Sequence, residues 1–311
     1  MDRIICIVGP TASGKTKLSV ALAQHLDAEI ISFDSMQIYR GMDIGTAKPT
    51  MEERGGIVHH MFDVAEPTED FSVSRYVEMA DACVQDLLSR GKTVILVGGT
   101  GLYVDSLIAG REFAPYPSTG RREELEKRVQ EEGIEPIYEE LRAIDPEAAE
   151  QIHPANHKRV IRALEVFLET GKTFSEHNRQ TQLIPPKYDP IWVGLDYQNR
   201  EALYARIDQR VEEMFAQGLV EEVQALLQKG ISPKATSLQA IGYKELIAYL
   251  EGYSTLEQAK EDIQRSSRRY AKRQRTWFRR NEKVHWIELT DKPNFDEIFH
   301  QARLFTAIFD R

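Results

Sequence analysis

Apolar residues in the first hundred positions gather into short unbroken runs, separated by stretches with helical spacing. Residues 4–8 (IICIV) and 93–97 (TVILV) are such runs, each the length of a strand buried on both faces, and 29–33 (EIISF) reads as a further strand. Between them, 15–26 and 71–90 repeat apolar positions every three to four residues, and Gly91 closes the second as a C-terminal stop. Alternation of this kind predicts an α/β fold: a parallel sheet with crossover helices, whose ligands bind at the carboxyl ends of the strands.

Pro115 and Pro117 interrupt the alternation, and a highly charged helical region without a convincing strand runs over 119–171. Pro185-Pro186 closes it, and 191–195 resumes a strand. Residues 112–187 therefore read as a helical insertion into one α/β core built from 1–111 and 188–311. Helices follow over 199–217 and 219–229. A long one begins near Thr255, where Thr255 and Gln258 form a capping box. Residues 284–289 alternate like an edge strand, and a last helix covers 294–309. There is no internal repeat and no low-complexity tract.

At 311 residues the chain is long enough for this plan. No apolar run approaches the roughly 20 residues of a bilayer span, and the start lacks the basic flank of a secretory signal. The two cysteines, Cys6 and Cys83, sit in apolar segments, as reduced thiols would. A cytoplasmic monomer with no membrane partner is expected. The formal net charge of −9 argues weakly against a nucleic-acid partner, but residues 265–280 argue the other way. They carry Arg265, Arg268, Arg269, Lys272, Arg273, Arg275, Arg279 and Arg280 with no acid among them. On a helix, Ile263, Tyr270 and Trp277 share an apolar stripe, most simply packed on the core. Arg268, Lys272, Arg275 and Arg279 share another face. A basic face with few acids to pair fits contact with a phosphate backbone better than ordinary surface.

The candidate chemistry starts at Gly9-Pro10-Thr11-Ala12-Ser13-Gly14-Lys15-Thr16, which matches G-x-x-x-x-G-K-[ST] without a mismatch. A strand feeding a glycine loop feeding a helix aims backbone N–H groups and a positive helix end at one point. Lys15 adds a charge there, and Thr16 a hydroxyl able to ligate Mg²⁺. The pattern predicts a diphosphate or triphosphate ligand. Asp34 follows the second strand, where a carboxylate can bind Mg²⁺, act as a general base or simply cap a turn. After the third strand comes Gly98-Gly99-Thr100-Gly101, where a P-loop ATPase often has its Mg²⁺-binding aspartate. Glycines there let a backbone or a base approach closely, and the missing aspartate weighs against ATP hydrolysis. His59 and His60 are adjacent and would face opposite ways on a strand, a poor start for a metal site. Lys158, Arg159 and Arg162 form either a solvated basic face or a wall for an anionic substrate.

Taken in order, several blocks resemble the bacterial tRNA dimethylallyltransferase (tRNA isopentenyltransferase) family. They are GPTASGKT at 9–16, DSMQIYRGMDIGTAKPT at 34–50, HHMFD at 59–63, GGTGLY at 98–103, HPANHKRVIRALEV at 153–166, AIGYKE at 240–245 and YAKRQRTWFR at 270–279. The likeness spans nearly the whole chain, and its specificity lies in the ordered set. It implies a P-loop kinase-like core with a helical insertion. It also implies transfer of a dimethylallyl group from dimethylallyl diphosphate to N6 of the adenosine just 3′ of the anticodon, position 37 of tRNA. The P-loop then cradles a diphosphate rather than ATP.

By this resemblance Asp34 is the general base, with Arg210 and Thr100 beside it. Gly9, Thr11, Ala12, Ser13, Gly14, Lys15 and Thr16 hold the diphosphate, with Mg²⁺ at Thr16. Asp34, Ser35, Met36, Gln37 and Thr100 meet the flipped base and its neighbours. On the insertion, Arg122, Lys158, Arg159, Val160, Ile161 and Arg162 touch the anticodon stem-loop, and Arg268, Lys272, Arg275 and Arg279 grip the stem backbone. From sequence alone, Arg210 is one more cation on an amphipathic helix. Two other classes compete: a nucleotide or small-molecule kinase, and a non-catalytic RNA-binding P-loop protein.

Overall fold

The structure, a computed structural model, describes residues 2–111, 119–182 and 185–310. Pro115 and Pro117 lie outside the described residues. The chain divides into two compact units, Met1–Gly110 with Lys187–Arg311, and Arg111–Pro186.

In the first unit the chain forms β1 (Asp2–Val8), α1 (Lys15–His25), β2 (Ala28–Ser32), β3 (His59–His60), α2 (Val73–Ser89), β4 (Thr93–Val97) and α3 (Gly101–Ile108). The second unit is helical among its described residues: α4 (Arg121–Glu132), α5 (Ile134–Ile144), α6 (Pro146–Gln151), α7 (His157–Thr170) and α8 (Phe174–Gln182). Back in the first unit come β5 (Tyr188–Tyr197), α9 (Arg200–Ala216), α10 (Leu219–Gln228), α11 (Tyr243–Leu250), α12 (Leu256–Phe278), β6 (Val284–Leu289) and α13 (Phe295–Thr306).

The strands pair in one parallel sheet in the order β3-β2-β4-β1-β5-β6. From β1 the chain crosses to β2 in one direction, and from β4 it crosses to β5 in the other. Right-handed crossovers then place α1 and α3 on opposite faces. The neighbours β1 and β4 therefore flank a topological switch point, where a crevice opens beyond the strand ends. Every residue of β4 is buried, as is 4–8 of β1, which is why both read as continuous apolar runs.

The five expected strands are present, and β6 lies at the sheet edge as its alternation predicts. β3 has only two residues, too few to carry a pattern. The helices α3 and α11 also escaped the periodicity. The capping box of α12 is made: Gln258 N donates to Thr255 Oγ1 at 3.2 Å, and Thr255 N to Gln258 Oε1 at 2.9 Å. Cys6 is buried on β1, Cys83 is half-buried on α2, and both are free thiols.

The second unit closes on its own apolar core, including Leu125, Ile137, Leu141, Val160, Ile161 and Leu164. Asp145 ties it together by accepting from Ala148 N at 3.1 Å and Ser175 N at 2.8 Å. None of the described helices is long and apolar enough to cross a membrane.

Candidate active site

β1 runs straight into the glycine loop. A Cβ on Gly9 would stand 2.2 Å from the Leu195 carbonyl oxygen of β5, and φ there is 145°, so only glycine fits. Gly14 opens α1 without a side-chain cap, so the first-turn N–H groups of the helix keep their capacity for an anion. Beyond the strand ends lies a cavity of about 1210 Å³. Its wall takes in the loop from Thr11 to Thr16, Asp34, Gln37, Gly98, Gly99, Arg210 of α9, and Tyr270 and Gln274 of α12. Ser35, Met36 and Thr100 are not part of that wall. Thr100 supports it, accepting from Ser35 N at 3.1 Å through Oγ1.

The cations meet at the loop. Lys15 Nζ donates to the Pro10 carbonyl at 2.6 Å. Desolvation by the cavity walls, then the charge of Arg210, pulls the Lys15 ammonium down to about 7 against the pull of Asp34. Arg210 Nη1 donates to Thr11 Oγ1 at 3.3 Å, while burial and Arg206 work against its charge. The Ser13 hydroxyl is buried in the same wall and has no hydrogen-bond partner among the described residues.

Asp34 caps its turn and also lies in the cavity wall. Its Oδ1 accepts from Met36 N at 2.9 Å and Gln37 N at 3.3 Å, which caps the turn. Both bonds fall on Oδ1, not Oδ2. Desolvation lifts the carboxyl above its ordinary range, against those two bonds and the charges of Lys15 and Arg210. A carboxylate made more basic inside a cavity suits proton abstraction.

The segment that follows is fastened from several sides. Gln37 Nε2 donates to the Thr46 and Ala47 carbonyls at 3.1 and 3.2 Å, and Gln37 Oε1 accepts from Ser32 Oγ at 3.1 Å. Its amide, expected to read a base edge, is spent on the protein. Glu222 of α10 accepts from Asp43, Ile44 and Gly45 N–H at 2.8–3.1 Å and from the Tyr243 hydroxyl at 2.6 Å. The AIGYKE block thus contributes Tyr243, whose ring leaves no room for a Cβ on Gly45. Lys48, buried, reaches Tyr39 O, Asp43 and Asp63 at 2.6–2.9 Å.

α12 differs from its expected role. The acids missing from residues 265–280 come largely from other elements. Arg275 Nε and Arg279 Nη2 both donate to Oδ2 of the fully buried Asp196 on β5, at 3.0 and 2.7 Å. Arg279 also meets Glu288, and Arg268 pairs with Asp208 of α9. The reading of few acids to pair is therefore corrected for three of the four cations; Lys272 is exposed. The stripe is corrected too. Ile263 packs in the core, but Tyr270 faces the cavity, and Trp277 sits on Gly101 and donates to Asp105 at 2.8 Å.

In the second unit, Lys158 and Arg159 are exposed on α7, Arg162 pairs with Glu165 at 2.8 Å, and Arg122 with Glu126 at 3.3 Å. Val160 and Ile161 are buried in that unit's core, so their side chains meet protein and not RNA. This corrects their place among the RNA contacts: they are the inward face of the helix that displays Lys158 and Arg159. His60 pairs with Glu29 at 2.7 Å, while His59 stacks on Phe62 and is kept below the usual imidazole range by burial. No group of three His, Cys, Asp or Glu among the described residues is arranged to hold a metal.

This geometry has close relatives. The family model described as IPP transferase matches residues 37–281. The tRNA dimethylallyltransferase of Caldanaerobacter subterraneus subsp. tengcongensis is 47% identical over 298 residues, 95% of each chain. That of Acetivibrio thermocellus is 45% identical over 310 residues, 99% of each. Among solved structures, the tRNA isopentenylpyrophosphate transferase of Bacillus halodurans superposes with a TM-score of 0.75 at 44% identity, covering 99% of this chain and 97% of that one. A eukaryotic dimethylallyltransferase acting on tRNA superposes with a TM-score of 0.85 at 30% identity, covering 98% of this chain and 78% of that one. With a family match over most of its length and near-half identity to full-length relatives, the chain belongs to the IPP transferase family.

Proposed function

We propose that the chain transfers the dimethylallyl group of dimethylallyl diphosphate to N6 of the tRNA adenosine 3′ to the anticodon, releasing diphosphate. One observation carries this reading: a carboxylate made more basic, Asp34, shares one cavity wall with a P-loop lysine and Arg210. An exocyclic adenine amine is a poor nucleophile because its lone pair is delocalised into the ring. As N6 attacks the allylic carbon, an N–C bond forms and the C–O bond to diphosphate breaks. The N6 proton passes to Asp34, and the electron pair of the broken bond leaves with the diphosphate.

Charge then grows on the departing oxygen. The amides of the loop, Lys15 and the Arg210–Thr11 pair stabilise it where it develops. The unpartnered Ser13 hydroxyl is placed to donate to a phosphate. Thr16 at the helix start would offer one hard oxygen to a magnesium ion, with phosphate oxygens of the ligand and water as its other donors. When bound, the ion neutralises diphosphate charge. The target base is stacked within the anticodon loop and must be extruded to reach Asp34. Lys272 on α12, and Lys158 and Arg159 on the second unit, offer exposed charge to the RNA backbone. Arg268, Arg275 and Arg279 share theirs with acids of the protein.

The test is incubation of the protein, Mg²⁺ and undermodified bacterial tRNA with radiolabelled dimethylallyl diphosphate, with ATP in a parallel tube. Label in tRNA without ATP supports the transfer. Phosphate consumed from ATP with no transfer makes the chain a kinase.

Lys15 gives a second expectation. With its ammonium lowered to about 7 in the free protein, much of the side chain is neutral at pH 8. A bound polyanion favours the charged form, so binding inorganic diphosphate at pH 8 is accompanied by proton uptake at Lys15. Affinity then falls up to tenfold per pH unit above 7. Titration calorimetry in two buffers of different ionisation enthalpy measures this uptake, and Lys15→Met removes it. Proton uptake unchanged in Lys15→Met would assign the titration elsewhere.

A further inference from the structure

One buried side chain joins the two loops that frame the cavity. Gln274 projects from the middle of α12 and is about 5% exposed. Its Oε1 accepts from Thr11 N, inside the P-loop, at 2.8 Å. Its Nε2 donates to the Gly99 carbonyl, just past β4, at 3.2 Å. The two ends are opposite in kind, a donor on one loop and an acceptor on the other, so one amide orientation satisfies both. A Cβ on Gly99 would lie 2.0 Å from Gln274 Nε2, which explains a glycine at that position.

What these loops carry makes the link consequential. Thr11, pinned by its backbone N–H, holds Arg210 through its hydroxyl. Gly99 precedes Thr100, whose Oγ1 accepts from Ser35 N beside Asp34. Gln274 thus sits between the groups facing the leaving diphosphate and the strand end that carries the base. Tyr270, one turn earlier on α12, reaches the same Gly99 carbonyl at 3.5 Å.

We propose that Gln274 is a positioning residue that fixes the P-loop relative to the Gly99–Thr100 strand end, and so sets the leaving diphosphate in line with the base at Asp34. This rests on the dimethylallyl transfer reading above. Glutamine is the residue for the task because it offers both a donor and an acceptor. Glutamate would keep the bond to Thr11 N but turn an oxygen toward the Gly99 carbonyl, and methionine keeps the volume while losing both bonds. A misplacement of even 1 Å between reacting groups costs up to 10²-fold in rate.

The experiment compares wild type, Gln274→Met and Gln274→Glu in steady-state transfer to tRNA, with diphosphate affinity measured separately by calorimetry on inorganic diphosphate. Both variants are expected to lose about tenfold or more in kcat, with KM for tRNA held within twofold and diphosphate bound several-fold more weakly. Combining Gln274→Met with Thr11→Val should cost less than the product of the single losses, because both act through the same loop. Values of kcat and diphosphate affinity within twofold of wild type overturn the proposal, including when melting temperature alone falls. Absence of label transfer by the wild type would count against the function. The diphosphate affinities would still test the clamp, and equal affinities in variant and wild type would overturn it.

Discussion

Replacing Asp34 by asparagine is expected to lower dimethylallyl transfer by about 10²–10⁴-fold, the range a positioned general base contributes. The substitution is close to isosteric, and the asparagine carbonyl can still accept from Met36 N and Gln37 N, so the turn survives. Binding of tRNA and of diphosphate should change little. In the wild type, burial raises the Asp34 carboxyl, and a base works only when deprotonated. Activity therefore falls as pH drops through that raised value, approaching tenfold per unit below it, and the acid limb lies above the ordinary carboxylate range. Asparagine abolishes this limb. Turnover equal to wild type would leave Asp34 only its role in capping the turn.

How much of this could be read in the chain depends on the distance between partners. The P-loop is legible because its chemistry is local: Gly9, Gly14, Lys15 and Thr16 act within one strand–loop–helix. The strands themselves follow from local runs, but their order in the sheet rests on long-range pairing that no local run records. Gln274 was hidden because nothing near it in sequence needs an amide; its two partners lie 263 and 175 residues away. Gly99 and Gly101 showed that something comes close, but the close neighbours are Gln274 and Trp277. The chain also suggested a substrate-reading amide at Gln37, which the fold uses to hold Thr46 and Ala47. Polar side chains can serve the fold or the ligand, and local sequence does not distinguish the two.

The cations of α12 test the same point energetically. Removing Arg275 and Arg279 together strands the fully buried Asp196 and is expected to destabilise the fold by about 3–5 kcal/mol. For a unit of this size that lowers the melting temperature by about 6–20 °C. Arg275→Ala alone costs less, because Arg279 still pairs with Asp196. Replacing all three residues by apolar ones of similar volume should restore much of the loss, since a buried ion pair seldom outperforms good packing. Lys272→Ala is the contrast: exposed, it should leave melting unchanged and reduce the slope of log K against log salt for tRNA by about one. Thermal melts and salt titrations on the same variants separate the two roles. A flattened salt slope with unchanged melting for the Arg275 and Arg279 variants would mean that these arginines serve the RNA, and that Asp196 tolerates burial without them.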